Sequence, residues 1–135
     1  MSQRAAGAFD VKVTPQKPDT QIARAANFSR LTIDKRFHGD LEGTSKGEML
    51  ATQTDMPGSA GYVAMERVTG KLQGRSGSFV LQHSATMSRG TPVAAISVVP
   101  DSGTGELRGL AGTMTITVAS DGTHAYQFDY RIVAT

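Results

Sequence analysis

The chain contains no cysteine and no tryptophan. Without thiols, a disulfide framework and thiolate metal sites are both excluded. Long apolar runs are also missing. The longest, such as Val93 to Ile96, are far too short for a membrane-crossing helix. Met1-Ser2-Gln3-Arg4 is not followed by the apolar stretch of a signal peptide, so a cytoplasmic location is the expectation. Charge of one sign is scarce as well: 14 Lys and Arg stand against 12 Asp and Glu, and only Lys35-Arg36 are adjacent. Nucleic-acid binding would need denser basic charge interleaved with aromatics, so neither a nucleic acid nor a membrane is expected as a partner. Between Glu66 and Asp101 there is no acidic residue, while Arg67, Lys71, Arg75 and Arg89 fall inside. That asymmetry fits a weak anion-attracting patch or an ordinary solvated face.

The helical period is nearly absent too. Ala23-Arg24-Ala25-Ala26 has the propensity but not the length, and no window keeps apolar residues at three-and-four spacing for three turns. What the chain has instead is glycine, 15 of 135 residues, and alternation. That much glycine without a repeat or a Gly/Ser tract reads as many turns in one folded domain spanning 1–135.

Period two recurs along the sequence. Phe9, Val11 and Val13 mark a first strand before Pro15 and Pro18 interrupt it. Leu31, Ile33 and Phe37 share one face, and Lys35 breaks that apolar row, which places it near a barrel mouth or beside a partner inside. Leu41, Gly43, Ser45, Gly47 and Met49 oppose Glu42, Thr44, Lys46 and Glu48, the pattern of a half-buried, curved strand. Tyr62 to Leu72, Phe79 to Met87, Val93 to Val99, Leu110 to Val118 and His124 to Ile132 continue it, with turns predicted at Gly74–Gly77 and Ser120–Gly122. About eight one-sided strands joined by short turns must bury their faces against each other. The predicted fold is therefore all-β, a single closed antiparallel barrel, with a two-sheet sandwich as the alternative.

Three stretches in this order, FHGDLEGTSKGEML (from Phe37), SAGYVAMERVTGKLQGRSGSFVLQH (from Ser59) and GTGELRGLAG (from Gly103), resemble a family of small bacterial proteins known only as domain of unknown function 3224. The resemblance runs from Gly7-Ala8-Phe9 to Tyr130. It implies an allene-oxide-cyclase-like (calycin-like) barrel, more remotely similar to dirigent proteins, with no settled activity. Such distant relatives bind apolar substrates in the barrel and steer cyclisation or coupling without a metal, and they assemble. No position-by-position match carries their catalytic residues over, and fold analogy alone is a poor warrant for function.

The residues themselves single out the inward face. With the turn at Gly74–Gly77, Glu66 faces Ala85 and Val68 faces His83, so Glu66 and His83 become diagonal neighbours, roughly 7–8 Å apart. An acid beside an imidazole on a dry face is a candidate catalytic acid–base pair, or a pair that merely satisfies itself and pins the register. Candidate ligand-binding residues are Tyr62, Lys35, Phe37, Phe79, His124, Tyr126 and Tyr130, with core packing as the other reading of the aromatic ones. No metal and no cofactor are expected. His38, His83 and His124 sit on separate strands without ligand spacing, and GTGELRGLAG leads into a strand, unlike a dinucleotide loop. No serine sits in a nucleophile elbow. The expected role is binding a small apolar or amphipathic molecule inside the barrel. The alternatives are an isomerase or cyclase using Glu66 and His83, and a filled barrel acting through oligomerisation, for which outward Val63, Met65 and Val80 offer an apolar patch. A homo-oligomer is accordingly a possible partner state.

Overall fold

One apolar face per strand needs a partner face, and this chain supplies it by curling one sheet shut. The computed structural model describes residues 2–134. It contains β1 (Gln3–Gln16), β2 (Ser29–Phe37), β3 (Leu41–Gln53), β4 (Ala60–Leu72), β5 (Arg75–Ser88), β6 (Thr91–Val98), β7 (Leu110–Val118) and β8 (His124–Ile132). The strands form a closed antiparallel barrel in chain order, with β8 returning to β1 from Gln3↔Tyr130 to Phe9↔His124. The sandwich alternative is thereby excluded. Among the described residues no helix is long and apolar enough to cross a membrane.

The two ends of the barrel differ. The base, where β2–β3 and β4–β5 turn, is packed solid by Phe37, Phe79, Phe128, Leu41, Leu72 and Leu81, all fully buried. A 3-10 turn at Gly105–Leu107 drives Leu107 into it as a plug. At Gly77 a Cβ would lie 2.1 Å from the Thr104 carbonyl oxygen, so only glycine lets the plug segment approach. The opposite end, the mouth, has no comparable filling.

Several local expectations need correction. The first strand runs on through Pro15, which lies opposite Leu31. Proline is tolerated there because β1 pairs with β8 only as far as Phe9, leaving its upper edge free. One six-residue helix, α1 (Gln21–Ala26), does form, with Thr20 Oγ1 accepting from the Ala23 amide at 3.0 Å. It buries nothing, which is why the pattern carries no helical face. The Asp121-Gly122 dipeptide sits in a wider loop, Ala119 to Thr123, in which Gly122 alone has positive φ.

The β4–β5 turn is Gln73–Gly74, both residues left-handed at φ 45° and 89°, with Leu72 opposite Arg75. This two-residue turn replaces the one predicted at Gly74–Gly77 and slides the pairing by four residues. Glu66 therefore faces Leu81 rather than Ala85, and His83 faces Ala64 rather than Val68. A slide by an even number leaves every side chain on its original face. Glu66 and His83 remain diagonal neighbours on the inside.

Candidate functional site

At mid-height the barrel holds four polar side chains in an otherwise apolar interior: Lys35, Ser45, Glu66 and His83. Lys35 of β2 lies opposite Ser45 of β3, and Ser45 opposite Val68 of β4, so Glu66 sits two residues along from that row. Between them is Gly47, opposite Glu66, where a Cβ would lie 2.8 Å from the Glu66 Cβ. The missing side chain leaves a lane over β3 through which the carboxylate meets Lys35 and Ser45. Lys35 Nζ donates to Glu66 Oε1 at 3.2 Å and lies 3.0 Å from Oε2. Ser45 Oγ donates to Oε2 at 3.3 Å. The ammonium also stands 4.9 Å from the Phe9 ring centroid and 5.8 Å from that of Phe37, a cation–π setting.

His83 completes the cluster more loosely. Its Nε2 is buried without a well-aligned hydrogen-bond partner, and its nearest acceptor is Glu66 Oε1 at 3.4 Å. Burial pushes the Glu66 carboxyl up, but His83 and the Lys35 charge together hold it below the usual carboxylate range. Because the imidazole contact is long and Lys35 reaches both oxygens, Lys35 is the principal counter-charge. A buried lysine and glutamate make the cluster neutral overall when His83 is unprotonated.

The lane makes a prediction. Gly47→Ala would put a methyl group 2.2 Å from the Met65 carbonyl oxygen as well as against Glu66. It is expected to destabilise the protein by about 1–3 kcal/mol, as overpacking does, measured by urea unfolding followed by far-UV circular dichroism.

Above the cluster, the mouth encloses a cavity of about 500 Å³. Met49, Tyr62, Ala85, Ala94, Ile96, Met114 and Ile116 are among its walls. Neither Glu66 nor His83 lines it. Ile96 faces His83 across β5–β6, and Met114 faces Ile96 across β6–β7, so these two side chains form the floor beside the histidine's rung. Two grooves of about 460 and 490 Å³ cross the outer wall of β3–β5, but the mouth cavity is the more enclosed.

The residues singled out from sequence thus separate into three groups. Lys35, Glu66 and His83 come together, and Tyr62 lines the cavity, its phenol pushed up by burial and by the Glu66 charge. Phe37, Phe79, Tyr126 and Tyr130 belong to the packed base. Phe37 meets Tyr126 edge-on at 5.6 Å, and Phe128 stacks between Phe79 and Tyr130 at 5.9 and 5.3 Å. The Tyr126 hydroxyl donates to the His38 carbonyl and accepts from the Leu41 amide, each at 2.8 Å, clamping the β2–β3 turn. The Tyr130 hydroxyl bonds Gln3 and Gln73. Burial raises both phenols. His124 is half-buried against Phe9 at 5.2 Å, away from the cavity lining. Val63 and Met65 are exposed on the outer wall, and Val80 is half-buried there. Ser45 falls on the inward row but was not singled out as a site residue, and neither was Ile96 of the cavity floor. Ser45 carried one available signal, a hydroxyl in an inward row of glycine and apolar residues.

The fold and its interior define a class: a closed, eight-stranded meander barrel, packed at one end, open at the other, with a buried ion pair between. The chain belongs to the family of proteins of unknown function DUF3224, whose model matches residues 5–130. It is similar over its length to a crystal structure of a protein of unknown function from that family in Shewanella oneidensis MR-1. The two share 44% sequence identity at a TM-score of 0.90, covering 99% of this chain and 100% of the other. No curated protein matches it.

Proposed function

We propose that the barrel binds a small apolar or amphipathic molecule in its open half. The observation that carries this reading is the mouth cavity of about 500 Å³ above a base that is filled solid. Such a volume falls within the range of small-molecule sites, roughly 300–1,000 Å³. An eight-stranded barrel has room for either a full core or one small ligand, and here the two options occupy opposite ends. Three thioethers, Met49, Met87 and Met114, line the cavity and supply an adaptable apolar wall. From the mouth cavity, a substrate would reach Glu66 and His83 only past the Ile96–Met114 floor, although His83 also borders the outer groove of about 490 Å³. Binding needs no such movement.

The uncharged dye N-phenyl-1-naphthylamine tests the reading, since a protein without tryptophan adds little emission of its own. Its fluorescence is expected to rise on binding. Ala94→Phe, which fills the cavity from β6, is expected to weaken binding at least about tenfold, while Met65→Ser on the outer wall leaves it unchanged. Equal binding by both variants, or none by the wild type, would overturn the proposal.

A further inference from the structure

The barrel is closed less completely than its strand order suggests. β6 and β7 are in register at only two positions, Ile96↔Met114 and Ser97↔Thr113. Every other adjacent pair is zipped over seven or more positions. Toward the mouth, Thr91 to Ala95 of β6 and Thr115 to Val118 of β7 continue as strands without pairing each other. β6 stays bonded to β5 and β7 to β8, so each presents one free edge to the gap between them. In an antiparallel strand alternate residues turn their N–H and C=O groups to opposite sides, so both edges carry unpaired main-chain donors and acceptors.

This notch opens directly onto the cavity. Ala94 and Ile96 line it from one side, Met114, Thr115 and Ile116 from the other. The notch is also where polar recognition remains available. The Glu66 carboxylate is already committed to Lys35 and Ser45, and the cluster lies outside the cavity lining.

Resting on the binding role proposed above, we infer that the β6–β7 notch is the polar half of the site. The ligand is amphipathic: its apolar body fills the mouth cavity and its uncharged hydrogen-bonding end, carrying both a donor and an acceptor, pairs with the free main-chain edges. A primary amide has the required chemistry. A carboxylate lacks the donor, and a hydrocarbon offers nothing to the edges.

Two probes with one ring system separate the outcomes. 2-Naphthamide and 2-methylnaphthalene are compared as competitors of N-phenyl-1-naphthylamine, and amide resonances of the ¹⁵N-labelled full chain are followed with each. Without partners in the site the amide would be the poorer ligand, because it surrenders hydrogen bonds to water. The expected result is an amide at least about tenfold tighter than the hydrocarbon. Its largest amide shifts should lie within Thr91–Ala95 and Thr115–Val118. If the two bind equally, or the amide shifts centre on His83 and Glu66, the notch assignment is overturned while cavity binding stands. If neither displaces the dye from a wild-type protein that binds it, the notch assignment again fails. If the dye itself does not bind, the binding role fails and takes the notch with it.

Discussion

Glu66→Gln is expected to lower the unfolding free energy by about 3–5 kcal/mol, the cost of stranding one member of a buried ion pair. The substitution preserves shape and leaves the Gly47 lane intact, so overpacking does not enter. It removes the charge that faces Lys35 Nζ at 3.0 Å, in a place where Lys35 is only 6% exposed and cannot reach water without unpacking β2. The two phenylalanine faces near the ammonium attract it, but they do not replace a carboxylate. Removing both charges together, Lys35→Met with Glu66→Met, should recover most of the loss, since apolar replacements of buried pairs are often neutral or stabilising. Urea midpoints of the three proteins decide the matter. A single variant within about 1 kcal/mol of wild type, the range of exposed pairs, would mean that the ion pair does not hold the barrel's waist.

The same pair sets a pH dependence whose sign is fixed. The folded Glu66 carboxyl titrates below its ordinary value. Its contribution is thus fully present above the unfolded carboxylate pKa, about 4.3, and is lost as pH falls through the lower folded value. Wild type should lose stability on acidification more steeply than Glu66→Gln in that window, and the two curves should converge at low pH.

How far the sequence foretold this arrangement depends on which physical signal each feature leaves. Alternation alone placed Lys35, Ser45, Glu66 and His83 on inward faces, because facing is a matter of parity. It survived a four-residue error in the β4–β5 register for the same reason. That error arose because the true turn starts with Gln73 in the left-handed region, a residue type with no marked preference for it. The pairing of Lys35 with Glu66 left no local trace. It crosses β3, and it depends on the three-strand register that puts Gly47 between them. The aromatic row on β8 left an ambiguous trace: Tyr126, Phe128 and Tyr130 are inward in either a lined cavity or a packed core. Only the packing around the plug at Leu107 settles that they belong to the core. The notch left one faint trace: Pro92 near the start of β6 is a residue that strands tolerate at a free edge, while β7 keeps strand-like sequence to its tip.

The division into a solid base and an open mouth predicts that equal-looking truncations will behave unequally. Phe128→Ala at the base is expected to destabilise by about 3–5 kcal/mol, the usual range for deleting a fully buried ring. Phe128 is 0% exposed and stacked on both sides, so neighbours held by their own strands cannot collapse into the void. Ile116→Ala at the mouth removes a half-buried side chain that already borders open space, so no sealed void is created. Its stability cost should be about 1 kcal/mol, less than the Leu or Ile deletions of a sealed core. Its effect should instead appear as altered affinity for N-phenyl-1-naphthylamine, which Phe128→Ala, if it stays folded, should bind as wild type does. Thermal unfolding and dye titration on both variants read the two ends independently. Comparable losses of stability would mean that the mouth is packed in solution as tightly as the base, leaving no room for a ligand.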